Sequence, residues 1–324
     1  MKILIFATTG SRVHEIREDH LQKLREVNSN IEVIAIPAGD EIQISQHLPE
    51  AEVIGGNPHA LPVSFAQAKK LKWIQLLSAG VDKVLTPEVK QSDILLTNVS
   101  GVHVIPIAEH VLGFLLLYTR KFKETLANQR EGIWRRRDDV TELRGKTVCI
   151  AGLGRIGTEI ARVLDCLGVR MIGVDVPGKE KPSFLESMYT TQEWNKALSQ
   201  ADFVVLSLPY TLTTHHLFGK EKFAMMKPSS VFVNIGRGAV VNEPELIEAL
   251  EHHTIAGAAL DVTEQEPLSP ESPLWTMPNV VITPHQSGHS EKMMDRAFDM
   301  FAENLRAYLN GQKMNTLVDK ERGY

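Results

Sequence analysis

Short uncharged apolar runs recur along the whole chain, each bounded by polar residues, glycine or proline. Runs of this kind are what strands buried on both faces of a parallel sheet require. In the first third, Ile3 to Ala7, Ile31 to Ile36, Glu52 to Gly56, Trp73 to Leu77 and Asp93 to Thr97 read as strands. Between the first two, His14 to Val27 reads as a polar-faced helix with Ile16, Leu21, Leu24 and Val27 inward. Ile107 to Gln129 reads as one long helix carrying Ala108, Val111, Leu112, Leu115, Leu116 and Phe122, ended by Glu131-Gly132. It is apolar over so wide an arc between Val111 and Leu117 that a second subunit is the expected cover. Later runs, Ala201 to Leu208, Ser230 to Asn234, Ile255 to Leu260 and Val280 to Thr283, again read as strands. Lys292 to Leu309 reads as the last helix, carrying Met293, Ala297, Phe301, Leu305 and Leu309 in a four-residue rhythm, and Asn315 to Val318 is apolar enough to dock.

The most informative stretch is Lys146 to Asp175. Val148 to Ala151 is apolar and uncharged, and Ile156, Ile160, Val163, Leu164 and Leu167 recur at helical spacing. Strand, tight turn, helix and second strand make a βαβ unit. Its Gly152-Leu-Gly154-Arg-Ile-Gly157 supplies three glycines with separate tasks: the turn, close approach of a pyrophosphate, and tight packing of helix on strand. The helix N-terminus, with its free N–H groups, faces the phosphates. Asp175 ends the second strand, where a carboxylate accepts hydrogen bonds from a ribose 2′-hydroxyl and repels a 2′-phosphate, which favours NAD over NADP. Alternation of strands and helices throughout means parallel sheets with ligands at the carboxyl ends of the strands.

Composition narrows the class. At 324 residues the chain exceeds one comfortable core, which predicts two domains, and 43% apolar with 23% charged residues is the balance of a globular protein. A net charge of -5 offers no general attraction to nucleic acid or to an anionic membrane. Arg135-Arg-Arg137 is followed at once by Asp138-Asp139 and reads as a solvated loop. No apolar run spans a bilayer or forms a signal segment, so a cytoplasmic location is expected. Cys149 and Cys166 are expected as small buried apolar residues, and neither a disulfide framework nor a zinc cluster follows from two cysteines.

Three further segments carry candidate chemistry. In Asn234-Ile-Gly-Arg237-Gly238 a guanidinium sits between glycines, rigidly placed, with a planar fork that matches a carboxylate. In Thr283-Pro-His285-Gln-Ser-Gly288 a histidine follows proline at a strand end, placed to exchange a proton. A buried glutamate on its other ring nitrogen would fix the tautomer, and Asp261-Val-Thr-Glu-Gln-Glu266-Pro267 is the acidic segment nearby in order. Backbone N–H groups of the loop Ser78-Ala79-Gly80-Val-Asp82 offer a place for an anion, a plain helix start being the other reading. The adjacent pairs His215-His216 and His252-His253 point apart and lack flanking ligands, so no metal site is expected. His110 reads as packing or capping on the long helix.

Together, Gly152 to Gly157, Leu208-Pro-Tyr-Thr-Leu-Thr-Thr214, Asn234 to Gly238, Asp261 to Pro267 and Thr283 to Gly288 resemble the D-isomer-specific 2-hydroxyacid dehydrogenases. Asn98-Val-Ser-Gly-Val-His103, Ala108-Glu-His110 and Leu143-Arg-Gly-Lys146 extend the resemblance over nearly the whole chain. It implies an α/β protein of two doubly wound domains, a Rossmann nucleotide-binding domain at 100–287 inserted into a flavodoxin-like substrate domain at 1–99 and 288–324. It implies NAD bound by Gly152, Gly154, Arg155, Ile156, Gly157, Asp175, Pro209, Thr214, Ile235, Arg237, Asp261 and His285. Arg237 would bind the substrate carboxylate and polarise the keto group, helped by Ala79 and Gly80. His285 would move the proton, paired with Glu266. A homodimer through the nucleotide domain is implied as well. The chain stops soon after its last helix, so the extra regulatory domain of longer phosphoglycerate dehydrogenases is not expected.

The expectation is therefore an NAD-dependent dehydrogenase interconverting a 2-keto acid and a D-2-hydroxy acid, with no nucleic-acid, membrane or metal partner. A corepressor-like or scaffold protein of the same fold is the alternative from another class; the intact set Arg237, Glu266 and His285 argues against it. A formate dehydrogenase of the same architecture is disfavoured by its larger chain and different pocket.

Overall fold

The computed structural model describes residues 1–8, 12–81, 83–321 and 323, the side chain of Arg12 excepted. The chain forms two compact units, Met1–His103 with His289–Tyr324, and Val104–Gly288. The second is one uninterrupted stretch inserted into the first. It begins and ends a little later than the sequence borders at 99/100 and 287/288.

In the first unit β1 (Lys2–Ala7), α1 (Glu18–Arg25), β2 (Glu32–Pro37), α2 (Glu41–His47), β3 (Val53–Gly56), β4 (Trp73–Leu76), α3 (Pro87–Gln91) and β5 (Leu95–Thr97) succeed one another. The strands pair in parallel as β2-β1-β3-β4-β5, the flavodoxin-like doubly wound order. Alternation along β1 sends Ile3 and Ile5 into one apolar layer and Leu4 and Phe6 into the other, so both faces are buried. The first helix is shorter than its apolar rhythm predicts. Arg17 is extended (φ −96°, ψ 164°) and caps it, and the His20 Nδ1 accepts from the Arg17 N–H at 3.1 Å, so the helix starts at Glu18 rather than His14. The tail docks on β5, where the Val318 N–H donates to the Leu96 carbonyl at 2.8 Å.

The second unit contains α4 (Val104–Thr119), α5 (Phe122–Arg130), β6 (Thr147–Ala151), α6 (Arg155–Asp165), β7 (Arg170–Asp175), β8 (Ser187–Thr190) and α7 (Trp194–Leu198). It continues with β9 (Phe203–Leu206), α8 (Lys220–Ala224), β10 (Val231–Asn234), α9 (Glu243–Glu251), β11 (Gly257–Leu260) and β12 (Val280–Ile282). Its parallel sheet runs β12-β11-β10-β9-β6-β7-β8, the Rossmann order with one added strand. Cys149 and Ala151 of β6 face one apolar layer, Val148 and Ile150 the other. The last helix, α10 (Met293–Leu309), returns to the first unit and buries Met293, Phe298, Phe301 and Leu305 against its sheet. Burial of such side chains is worth about 1.5–3 kcal/mol each.

The structure corrects several expectations. The long helix is two, because Lys121 adopts a left-handed conformation (φ 55°) that no α-helix continues through. The Lys123 ammonium then turns back onto the carbonyls of Met277, at 3.2 Å, and Val280. β8 has no counterpart among the strands expected from the sequence; it is an edge strand only half-buried throughout, so it lacks the apolar run that marks the others. Cys149 is buried, but Cys166 and Leu167 lie beyond the end of α6 and are exposed, as is Leu309 at the end of α10.

Candidate active site

Parallel registry brings the carboxyl ends of the second sheet's strands to one rim. Ala151 is level with Val174 and Leu206, Asn234 with Leu206 and Leu260, and Leu260 with Ile282. The segments that leave these strand ends therefore gather on that rim: the glycine turn, Asp175, Pro209, Ile235 to Arg237, Asp261, and Thr283 to His285. The strand order reverses between β6 and β9, the position at which such sheets open a crevice.

The glycine turn is tight on two sides and open on the third. Gly152 has φ 91°, and a Cβ there would lie 2.6 Å from the Ser207 carbonyl oxygen; at Gly157 it would lie 2.0 Å from the Gly152 carbonyl oxygen. Around Gly154, which caps α6 without a side-chain hydrogen bond, nothing lies within 4 Å of such an atom. An open approach to the N-terminus of an 11-residue helix is what a pyrophosphate needs, so these residues fit a dinucleotide. Arg155 and Ile156 open α6. Asp175 folds back on the turn: its Oδ2 accepts from the Leu153 N–H at 2.7 Å and from Lys179 Nζ at 2.8 Å, and its Oδ1 from the Val176 N–H at 2.7 Å. Burial pushes this carboxyl up, but Lys179 and the two amides outweigh it and hold it below its ordinary value.

The loop after β9 is closed by Thr214, whose hydroxyl donates to the Pro209 carbonyl at 2.8 Å and accepts from the Thr211 N–H at 2.7 Å. Ile235 is buried directly after β10, and its N–H donates to the Leu206 carbonyl at 3.1 Å. The Asn234 side chain spans the next turn, donating to the Arg237 carbonyl at 3.2 Å and accepting from the Gly236 N–H at 3.1 Å. Arg237 is half-buried, and its Nη1 donates to the Gly236 carbonyl at 2.9 Å.

Glu266 and His285 meet, with Oε2 2.7 Å from Nδ1. Glu266 Oε1 also accepts from the Thr263 N–H at 3.4 Å. Burial raises the Glu266 carboxyl, but the His285 hydrogen bond and charge, with Thr263 and the Arg237 charge, bring it below its usual range. The pair is not buried as expected: the His285 side chain is 50% exposed and that of Glu266 39%. A carboxylate on Nδ1 fixes the tautomer and leaves Nε2 as the nitrogen for proton exchange, the arrangement that a proton donor requires.

Asp261 is buried and faces the same turn, with hydrogen bonds to Thr283, Gln286 and Ser287. His110 Nε2 lies 3.0 Å from Thr283 Oγ1, so His110 is tied to the site and not only to packing. Sequence reasoning passes over Thr283 although it adjoins Pro284-His285; nothing local marks a threonine whose partner is far back in the chain. It passes over Lys179 too, whose place four residues after Asp175 is the available signal.

In the first unit, Ala79 and Gly80 lie just past the end of β4, and both carbonyls are held, that of Ala79 by Asn98 Nδ2 at 2.8 Å and that of Gly80 by the Ser78 hydroxyl at 3.0 Å. Asp82, the end of that loop, lies outside the described residues. Among the described residues, Asp19, His20 and Asp295 also cluster in this unit, but the Arg17 guanidinium bonds both carboxylates and occupies the place of a cation.

The chain is similar to known proteins. The family model for the D-isomer specific 2-hydroxyacid dehydrogenase NAD binding domain matches residues 112–287. A glyoxylate reductase of Thermofilum pendens is 35% identical over 262 residues, 78% of this chain and 76% of that protein. A D-3-phosphoglycerate dehydrogenase of Methanocaldococcus jannaschii is 33% identical over 254 residues, 78% of this chain; the match spans 48% of that protein, about half its length. Among solved structures, a D-isomer specific 2-hydroxyacid dehydrogenase from Xanthobacter autotrophicus Py2, in complex with NADPH and MES, superposes with a TM-score of 0.83 at 29% identity, covering 99% of each chain.

Proposed function

The chain belongs to the D-isomer-specific 2-hydroxyacid dehydrogenase family, and from that premise we propose that it reduces a small 2-keto acid to a D-2-hydroxy acid with NADH. The observation that carries the reading is the His285–Glu266 pair at 2.7 Å, on the rim that also bears the glycine turn. A nicotinamide dinucleotide, which the glycine turn and Asp175 would hold, would supply or accept the hydride.

The chain's own residues do the rest. Arg237 holds the substrate carboxylate with its fork and polarises the keto oxygen. His285 delivers a proton from Nε2 to the keto oxygen during reduction and takes it back in oxidation, while Glu266 fixes the ring through Nδ1. Gly152, Gly154, Arg155, Ile156 and Gly157 cradle the pyrophosphate, Asp175 takes the ribose hydroxyls, and Pro209, Thr214 and Ile235 line the cofactor. Among the described residues no helix is long and apolar enough to cross a membrane. Phe122, Leu126 and Trp134, exposed beside and on α5, support a homodimer through this unit.

Screening glyoxylate, hydroxypyruvate, pyruvate and branched 2-keto acids with NADH and with NADPH, by loss of reduced-nicotinamide absorbance, tests the reading. Turnover of at least one acid is expected, with the D-alcohol as product. No turnover of any would remove the proposal, as would His285→Gln retaining full kcat, since loss of a general acid costs about a hundredfold.

A further inference from the structure

Glu264, in the loop after β11, is tied to the start of α9. Its Oε2 accepts from the Glu243 N–H at 3.2 Å, and its own N–H donates to Glu243 Oε2 at 2.9 Å. A carboxylate is favourably placed on the free N–H groups of a helix N-terminus, and the reciprocal pair makes Glu264 a firm post. Its other oxygen, Oε1, is taken by a different segment.

That segment is the loop after β9, through His216. His216 Nε2 lies 2.5 Å from Glu264 Oε1, and because a carboxylate only accepts, Nε2 carries the proton. The His216 N–H donates to the Ala239 carbonyl at 3.0 Å, in the turn after β10. One residue thus grips both neighbouring loops. Its backbone is left-handed (φ 50°), a conformation that a non-glycine residue keeps where its surroundings impose it.

His216 stands at the border between a firm stem and a self-contained tip. Beyond it Phe218 is fully buried, and its N–H donates to the Val240 carbonyl at 3.0 Å. Before it the loop folds on itself: Thr214 bonds Pro209 and Thr211, and the His215 N–H returns to the Thr211 carbonyl at 2.9 Å. Bonds of that kind give a loop its shape but let it swing as a unit. A row of rings carries the grip of His216 into this tip. Its ring stacks on His215, with centroids 3.9 Å apart and planes 24° from parallel, and His215 meets Tyr210 edge-on at 5.8 Å.

We propose that His216 is a positioning residue, whose bond to Glu264 latches the loop 209–214 in the place that a nicotinamide dinucleotide needs. The proposal rests on the reading that this loop lines the cofactor. A loop ordered in only a fraction of the molecules binds with an apparent Kd raised by the inverse of that fraction, while the complex, once formed, turns over as before. Loss of the latch therefore weakens cofactor binding and spares kcat.

The test compares His216→Phe, which keeps the ring and removes the donor, with His216→Gln, which keeps a donor and removes the ring. The His216 side chain is 34% exposed, so neither change empties the core. Glu264→Ala is made alone and together with His216→Phe. Three quantities are read: NADH Kd by fluorescence titration, kcat at saturating NADH for an acid that the wild type reduces, and hydrogen–deuterium exchange of amides 214–216 in the protein alone. His216→Phe is expected to raise NADH Kd about fivefold and to speed exchange by a similar factor, with kcat within about twofold. His216→Gln stays within about twofold of wild type in all three, and the double variant binds NADH within about twofold of Glu264→Ala alone, because the two residues share one bond. Unchanged Kd and exchange in His216→Phe would overturn the latch. So would His216→Gln binding as weakly as His216→Phe, which would assign the effect to the stacked rings. A fall in kcat with Kd intact would overturn it as well and place the effect on Glu266 and His285. Wild-type protein that binds NADH and loses affinity in the expected pattern, yet reduces no 2-keto acid, would uphold the latch and refute the reaction.

Discussion

Gly238 lies against the backbone of Thr263 so closely that a Cβ on it would stand 1.8 Å from the Thr263 carbonyl oxygen. The contact locks the loop bearing Arg237 to the loop bearing Glu266. Neither partner is the flexible end of a side chain, so neither gives way. Gly238→Ala is expected to destabilise the protein by roughly 3 kcal/mol, the upper part of the range for overpacking, and to lower kcat/KM by separating the two loops. Urea unfolding followed by fluorescence measures the first effect. A variant within about 0.5 kcal/mol of wild type would mean that the two loops part easily.

Glu266→Gln keeps the shape of the side chain and removes its charge. The 2.7 Å contact to His285 Nδ1 then loses its carboxylate. The acid limb that Glu266 imposes on the wild-type kcat/KM profile should be absent from the variant, which profiles from about pH 3 to 9 measure. On the acid side the carboxyl of Glu266 titrates below its ordinary 4.5, so the pair persists down to that pH and is lost as pH falls through the depressed value. Coincident limbs in the two proteins would separate Glu266 from the proton on His285.

Cofactor choice turns on Asp175 and Lys179. Asp175→Ala should weaken NADH binding by about 1–3 kcal/mol, the scale of a hydrogen bond to a charged group, and improve NADPH binding. Lys179→Ala should do the reverse for NADPH, because the ammonium offsets part of the repulsion between Asp175 and a 2′-phosphate. Fluorescence titrations with both nucleotides decide it. A wild-type preference for NADPH would show that Asp175 does not govern the choice.

The architecture and most of the rim were legible because they depend on local chemistry. Strands buried on both faces must be apolar and uncharged, and Gly152 and Gly157 admit no side chain, so each announces itself. What was hidden depends on distance or on exposure. Lys121 breaks a helix through its own backbone, with no proline or glycine to signal it. β8 is half-buried, and His110 finds Thr283 across most of the second unit.

The two cysteines differ in the same way. Burial pushes the Cys149 thiol up to about 12, so at neutral pH it is not a thiolate, whereas Cys166 is exposed. One thiol should react with an aromatic disulfide reagent in the native protein and both after denaturation. Two fast-reacting thiols in the native state would contradict the placement of Cys149 in β6.

The insertion of one unit into the other also sets an order of assembly on the ribosome. Strands β1 to β5 emerge first, yet α10, which covers one face of their sheet, is translated after the whole of Val104–Gly288. Phe301 of α10 seats against Gly55, where a Cβ would come within 2.7 Å of its ring, and until it arrives the layer of Ile3, Ile5, Val53 and Trp73 lacks its cover. Domains usually close in the order in which they are made. Here the contiguous unit is complete in sequence before α10 is made while the split one waits, and a chain truncated after Gly288 leaves the layer of Ile3, Ile5, Val53 and Trp73 open, a surface of the kind that chaperones bind.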